Sequence, residues 1–456
     1  MSRVIKATRT LYPKNYLLLS MSKKFLIIAT VYLVSVFSFL SGMYVIMARV
    51  WPYDHVMSVR SFLIGEREEQ KTVKEKIEND LGLKPSRLLE NYVIADSEQS
   101  SYQPVEIPDA NKRRDSGLVF ISDKIESGLR FIYGAFDTET AMHGAILLDD
   151  KGSVVHQWKV TEDNETNAER KDTNKYLHGL EVLQDGSLIY SFDGGNGLYR
   201  IDACGNRLWE IKGNFHHSVA SDGASAVWAW RNHDMVKVDI NTSEILRTLN
   251  IAALDKANPE LDLFGIRQKD GDSESTWGHD PHHPNDLEPL LAESAVGYPQ
   301  FAVGDLLISF RSLNLITIVN PDNLRVKWWR VGQWRRQHDP DWNPDGKLYV
   351  YDNNMHRGNS NIIQIDPVTM EANRVVKGDD FDFYSSHMGK MDITPNQGIL
   401  VTSPKQGRVF EVSKEGEKTF EFINQYNHDT NEVLVVTGAK FLPEDYFDKN
   451  SFLRCR

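Results

Sequence analysis

The sequence predicts an all-β fold, a six-bladed β-propeller behind an N-terminal transmembrane helix, and three observations carry that expectation. Within residues 117–445 a module recurs that starts with histidine, passes a Gly-containing turn and ends in an apolar strand. Six hairpins of the texture apolar strand, turn, strand accompany it, at a spacing of roughly 40 to 65 residues that suits four-stranded blades. Near the N-terminus, residues 25–47 read FLIIATVYLVSVFSFLSGMYVIM, with no charge in 23 residues.

That apolar stretch would span about 34 Å as a helix, against the ~30 Å of a hydrocarbon core, and is too long for the apolar part of a cleaved signal peptide. Arg3, Lys6, Arg9, Lys14, Lys23 and Lys24 precede it. The excess of positive charge on that side predicts that residues 1–24 stay in the cytoplasm and everything after Met47 lies outside. Residues 48–116 divide into a Glu- and Lys-rich segment, EREEQKTVKEKIENDL, with the texture of an exposed helix, and a polar linker over 97–116. A tail of residues 446–456 would close the chain.

Composition sets outer limits. Charged residues make up 25% and hydrophobic ones 41%, as in folded globular chains. A net charge of -12 excludes nucleic acid as the main partner. Two cysteines, Cys204 and Cys455, supply neither a disulfide framework nor a Cys-based zinc site; whether they pair is left open.

The repeats begin at His178 (HGLEVLQDGSLIYSF), His217 (HSVASDGASAVWAW), His338 (HDPDWNPDGKLYVYD) and His387 (HMGKMDITPNQGILVTS), with a looser copy at His283. A single blade cannot bury both faces, so the ring must close, and the terminal strand around Glu432 to Phe441 is expected to pair with strands near Gly117 to Gly134. Seven blades would fit if that strand belonged to its own sheet. The first strand of each blade lines the axis, so His178, His217, His283, His338 and His387 should ring one funnel. A buried histidine that staples its own blade is the plainer alternative for each. Arg311 interrupts the apolar run LLISFRSLNLITIVN, where a buried cation calls for an anion. Trp328, Trp329, Trp334 and Trp342 surround His338 in sequence and would either wall an aromatic ligand or fill blade interfaces. The run WGHDPHHPND places His279, His282 and His283 close together, yet no HExxH spacing occurs and no metal site is assigned. GxSxG, the phosphate-binding GxxxxGK[ST] and GxGxxG after a strand are also missing, so nucleotide-dependent mechanisms have no support and no cofactor is expected.

Five markers together resemble the bacterial aryl-sulfate sulfotransferases: GAILLDDKGSVVHQW, HHSVASDG, the HPN of His283 to Asn285, the ISFRS around Arg311, and QHDPDWNPDGKLYVYDNN from Gln337. The resemblance covers about Gly128 to Gln425 and implies a six-bladed periplasmic propeller that moves a sulfuryl group from an aryl sulfate to a phenol. By motif, His338 would be the nucleophile that carries a sulfohistidine intermediate. Arg311, His283 and Asn285 would hold the sulfuryl oxygens, and His217, with His216 in reserve, would join them. His387 and His178 complete the expected substrate-binding set. The sequence departs from the family at Ser360-Asn361, where Ser-Arg is usual, and in its apolar N-terminal stretch. The expected setting is the bacterial inner membrane, with the propeller periplasmic. Two other readings stay open: a non-catalytic envelope propeller that binds a partner or glycan, and a hydrolase or lyase with a His-bound metal.

Overall fold

The computed structural model describes residues 15–48, 55, 118–137, 142–160, 176–264, 282–355, 357–427 and 432–455, and the chain divides into two compact units, Met1–Thr72 and Val73–Arg456. The expected helical and linker segment, apart from its first residue and His55, and His279 of the histidine cluster lie outside the described residues.

Among the described residues of the first unit, α1 (Asn15–Ala48) carries the apolar stretch. Two of its hydroxyls bond within the helix: Thr30 and Ser35 donate to the carbonyls of Leu26 and Val31. Among the described residues, no helix is long and apolar enough to cross a membrane. The expected transmembrane helix over 25–47 is thereby overturned. With it go the membrane as a partner and the placement across a bacterial inner membrane with the propeller periplasmic.

The second unit is the six-bladed propeller. Strand β1 (Leu118–Ile121) precedes the ring. Blade one contains β2 (Leu129–Asp137), β3 (Met142–Leu148) and β4 (Val154–Val160). Blade two is β5 (Tyr176–Val182), β6 (Leu188–Asp193), β7 (Gly197–Ile201) and β8 (Arg207–Lys212). Blade three is β9 (Phe215–Ser221), β10 (Ala226–Arg231), β11 (Asp234–Asp239) and β12 (Ile245–Asn250), followed by a short helix, α2 (Ile251–Ala257). Blade four is β13 (Pro284–Pro289), β14 (Leu306–Phe310), β15 (Leu315–Val319) and β16 (Val326–Val331). Blade five is β17 (His338–Trp342), β18 (Leu348–Asp352), β19 (Asn361–Ile365) and β20 (Ala372–Lys377). Blade six is β21 (Lys390–Ile393), β22 (Ile399–Ser403), β23 (Arg408–Val412) and β24 (Lys418–Ile423). A small ladder of β25 (Tyr426–Asn427) and β26 (Glu432–Val433) leads to β27 (Val436–Leu442).

Closure follows the expected pairing. β27 lies against β2 from Leu129↔Leu442 to Gly134↔Val436, which makes it the channel-side strand of blade one and fixes the count at six. A second tie was not foreseen: β1 adds a fifth strand to blade six through Leu118↔Phe422 and Ile121↔Phe420. At the same seam Arg130, fully buried, donates to Glu411 Oε2 at 2.6 and 3.0 Å and to the Gly128 carbonyl at 2.9 Å. Blades one and six are thus joined by hydrogen bonds, an ion pair and sequence crossing.

Strand burial explains why the sequence reads as it does. Middle strands such as β7, β14, β15 and β23 are buried on both faces and are continuous apolar runs, because neighbouring blades cover each side. The outer strands β8 and β12 alternate between partly buried and exposed residues. Apolar clusters fill the blade interfaces; Trp230, Leu254 and Phe310 belong to one, and Tyr298, Trp328 and Trp334 to the next. Cys204 and Cys455 form a disulfide across 251 positions. The last residues dock on the propeller, with Tyr446 donating to the Val182 carbonyl and Phe447 and Phe452 packed beside Trp158.

Candidate active site

The five repeat histidines stand at the heads of the inner strands, and the backbone there is irregular in a repeated way. The ladder slips at Leu177/Gly179 on β5, opposite Ala229/Trp230 on β9, at Pro284/Asp286 on β13 and at His338/Pro340 on β17. Each slip is a bulge, which frees a residue from pairing and re-aims its side chain. Left-handed backbone accompanies it at His217 (φ 61°), His283 (φ 47°) and Asp339 (φ 48°). Non-glycine residues adopt this region at a cost, and such strain clusters at functional sites.

Three histidines from blades two, three and four meet at this end of the channel, one pair tilted and the other edge to face. The ring centroids of His178 and His217 are 4.9 Å apart, and those of His217 and His283 are 5.0 Å apart. Asp193, at the end of β6, organises them. Its Oδ2 lies 2.7 Å from His178 Nδ1, and its Oδ1 accepts the His217 backbone N–H at 2.9 Å. Burial alone would raise the Asp193 carboxyl, but His217, His178 and the hydrogen bond hold it well below the usual carboxylate range, so it is ionised. Burial, followed by repulsion from His216, His178 and His283, holds His217 well below the ordinary imidazole value despite the attraction of Asp193. His216 shares a 2.8 Å hydrogen bond between Nδ1 atoms with His217 and turns its Nε2 to the Asn232 carbonyl. His178, Asp193 and His217 offer ligand atoms all within 4.8 Å of one another, a set able to hold a metal ion.

His338, from blade five, is nearly fully buried. Its Nδ1 meets Asn353 Oδ1 at 2.6 Å and the Arg336 carbonyl at 3.1 Å. Both partners are acceptors, so Nδ1 carries the proton and Nε2 the lone pair. Nε2 accepts the Met388 N–H at 3.2 Å, a long bond. Burial, then the Arg311 guanidinium, holds His338 well below its ordinary value, with smaller contributions from His178 and His283. The ring is therefore neutral and sits within the field of a cation and two other imidazoles. Arg311 begins a one-turn 3-10 helix between β14 and β15, and its backbone N–H donates to the His283 carbonyl at 3.0 Å. The apolar run that contains it is two strands with a turn, so Arg311 does not interrupt a strand.

Other expected residues fall elsewhere. Asn285 is buried, and its Nδ2 donates to the Gln337 carbonyl at 2.8 Å, which ties blade four to the residue before His338. His387 pairs its Nδ1 with Ser386 Oγ at 2.9 Å, next to the Met388 amide that reaches His338. Trp328, Trp334 and Trp342 pack between blades four and five, while Trp329 faces solvent on the outer strand. Two functional candidates escaped the sequence reading, Asp193 and Asn353. Both lie at or just after the second strand of a blade, in SFDGG and YDNN, and that recurrence could have flagged them.

Residues 136–425 match the family described as Arylsulfotransferase (ASST). No curated protein matches the chain. Among solved structures, it is similar to a protein of unknown function from Bacteroides caccae, at 11% identity over 69% of this chain and 99% of the other, with a TM-score of 0.45. A virginiamycin B lyase from Staphylococcus aureus, in an inactive form with quinupristin, gives 9% identity over 67% and 87%, with a TM-score of 0.39. AztD from Citrobacter koseri gives 9% over 70% and 98%, with a TM-score of 0.38. At these scores the structural likenesses carry no argument, and the match that spans most of the propeller decides the matter: the chain belongs to the arylsulfotransferase family.

Proposed function

We propose that this arylsulfotransferase-family enzyme works without a nucleotide donor and passes the sulfuryl group through His338 Nε2. The reading rests on one observation: imidazoles from four separate blades and the Arg311 guanidinium meet at one end of the channel. In the first half-reaction the Nε2 lone pair attacks sulfur, the bond from sulfur to the aryl oxygen breaks, and its electron pair leaves with the phenolate. In the second, the oxygen of an acceptor phenol attacks the same sulfur and the N–S bond returns its pair to Nε2. One hard displacement becomes two easier ones. Arg311, whose guanidinium acts on His338, is assigned the charge on the sulfuryl oxygens, and His283 the proton that the donor phenolate gains and the acceptor loses. Asn353 keeps the Nδ1 proton in place, so that Nε2 is the nucleophilic atom. The Met388 amide must yield its long bond when sulfur arrives.

The test is release of 4-nitrophenol from 4-nitrophenyl sulfate in the presence of a phenol, with the acceptor sulfate identified by mass. His338→Asn should abolish turnover, and wild-type protein quenched without acceptor should carry one SO3 on the peptide that contains His338. A folded wild type that releases no nitrophenol with any phenol would sink the activity. Turnover in His338→Asn would move the nucleophile elsewhere. A metal-dependent hydrolase or lyase is the second reading, favoured by the His178, Asp193 and His217 trio. It requires bound metal after purification and loss of activity on chelation, neither of which sulfuryl transfer to histidine needs.

A further inference from the structure

His178, Asp193 and His217 do more than align rings for transfer. Their ligand atoms all fall within 4.8 Å of one another, and among the described residues no other group of three metal-ligating side chains converges so closely. His178 is buried, whereas the Asp193 and His217 side chains keep 20% and 15% of their surface, enough for an ion and its water to enter. Two ligand atoms on a tetrahedral zinc lie about 3.4 Å apart, since each bond to the ion is ~2.0 to 2.2 Å. His217 Nδ1 already stands 3.5 Å from Asp193 Oδ1. The 2.7 Å contact between His178 Nδ1 and Asp193 Oδ2 would have to open by about 0.7 Å, which side-chain rotation can supply.

We propose that these three side chains take a zinc-class ion, with water completing its shell, and that its occupancy reversibly shuts off sulfuryl transfer. Two imidazole nitrogens and one carboxylate favour zinc or cobalt(II) over calcium and magnesium, which prefer all-oxygen sites. In the metal-free chain a proton holds the place of the ion: His178 Nδ1–H donates to Asp193 Oδ2. The ion takes the same nitrogen and the same carboxylate, so the hydrogen bond that aims the His178 ring is lost. The His178 ring lies 4.9 Å from that of His217, and His217 5.0 Å from His283, so the shift and a double positive charge reach the group assigned the proton transfers. Metal and transfer therefore exclude each other here, the opposite of the metal-dependent reading, in which the ion is required. The site stands on geometry alone, while the shut-off rests on the transfer proposed above.

The untagged full chain, stripped with chelator, should be titrated with cobalt(II) and then with zinc. A tetrahedral cobalt d–d band that zinc displaces is expected, and calcium or magnesium should leave it in place. Asp193→Asn and His217→Asn should each weaken binding about tenfold or more, with thermal melts to show that both variants fold. Turnover of 4-nitrophenyl sulfate should fall about tenfold or more at saturating zinc and return when chelator is added. No cobalt band in the wild type would overturn the site. So would binding that is unchanged in both variants, because other histidines would then hold the ion. Undiminished turnover with the trio loaded would overturn the shut-off, and turnover that rises with zinc would favour the metal-dependent reading in its place. A chain that binds cobalt at the trio yet turns over nothing, with or without metal, would support the site and overturn the shut-off together with the transfer reading.

Discussion

Asp193→Asn tests the proposed centre most sharply, because the carboxylate touches two imidazole-bearing residues without needing to touch substrate. Its Oδ2 meets His178 Nδ1 at 2.7 Å and its Oδ1 meets the His217 amide at 2.9 Å. Asparagine keeps the shape and one acceptor oxygen but removes the charge. A charge-assisted hydrogen bond of this kind is worth about 1.5 to 3 kcal/mol, and about 1.4 kcal/mol is tenfold in rate. If that energy positions the rings for transfer, kcat/KM for 4-nitrophenyl sulfate should fall about 10- to 150-fold, mostly in kcat. The same loss, spread over an unfolding entropy of about 0.7 kcal/mol/K for a propeller of this size, lowers Tm by only about 2 to 4 °C. The variant therefore stays folded at assay temperature. An NMR titration adds a readout that a merely structural role would not move: Asp193 is the leading charge that raises His217, so His217 should titrate still lower in the variant. A kcat/KM within threefold of wild type, with His217 unmoved, would refute the positioning role.

Three further outcomes are expected. Because His338 is held well below the ordinary imidazole value, its reactive neutral form persists as pH falls, so the acid limb of kcat/KM should lie well below the ordinary imidazole range; a limb within or above that range would argue against His338 as the nucleophile. Cys204→Ser opens a loop of 251 positions, whose closure entropy is about 5.5 kcal/mol as an upper bound, so Tm should drop by up to about 8 °C and a reductant should then have no further effect. Arg130→Met strands the buried Glu411 carboxylate and should cost about 3 to 5 kcal/mol in urea unfolding, while the double change with Glu411→Leu recovers much of it.

The fold was legible because its repeats are written twice, once as an inner histidine and once as an outer hairpin, and ring closure then follows from unpaired edges. The meeting of His178, His217 and His283 was legible for the same reason, since blade register carries position. What stayed hidden depended on contacts that register does not specify. Asp193 precedes two glycines and reads as a turn, yet it faces the next blade. Arg311 seemed to break a strand because the turn at Asn314, a left-handed residue at φ 50°, is built without glycine or proline. The tryptophans near His338 suggested a ligand wall, but alternation along β16 and the apolar interface between blades four and five account for their places. The apolar stretch of α1 met the length expected of a membrane span, and that reading did not survive.

Closing the ring with β27 against β2 makes the order of synthesis matter. The two strands lie some 300 positions apart, so at about 5 to 20 residues per second the partner emerges roughly 15 to 60 s after β2. For that interval blade one offers a bare edge to any other extended chain, and a nascent chain needs shielding there. A stop codon between residues 424 and 436 would yield six nearly complete sheets and no ring. The histidines of separate blades would then have no reason to meet, so the seven residues of β27 decide whether the proposed centre can assemble.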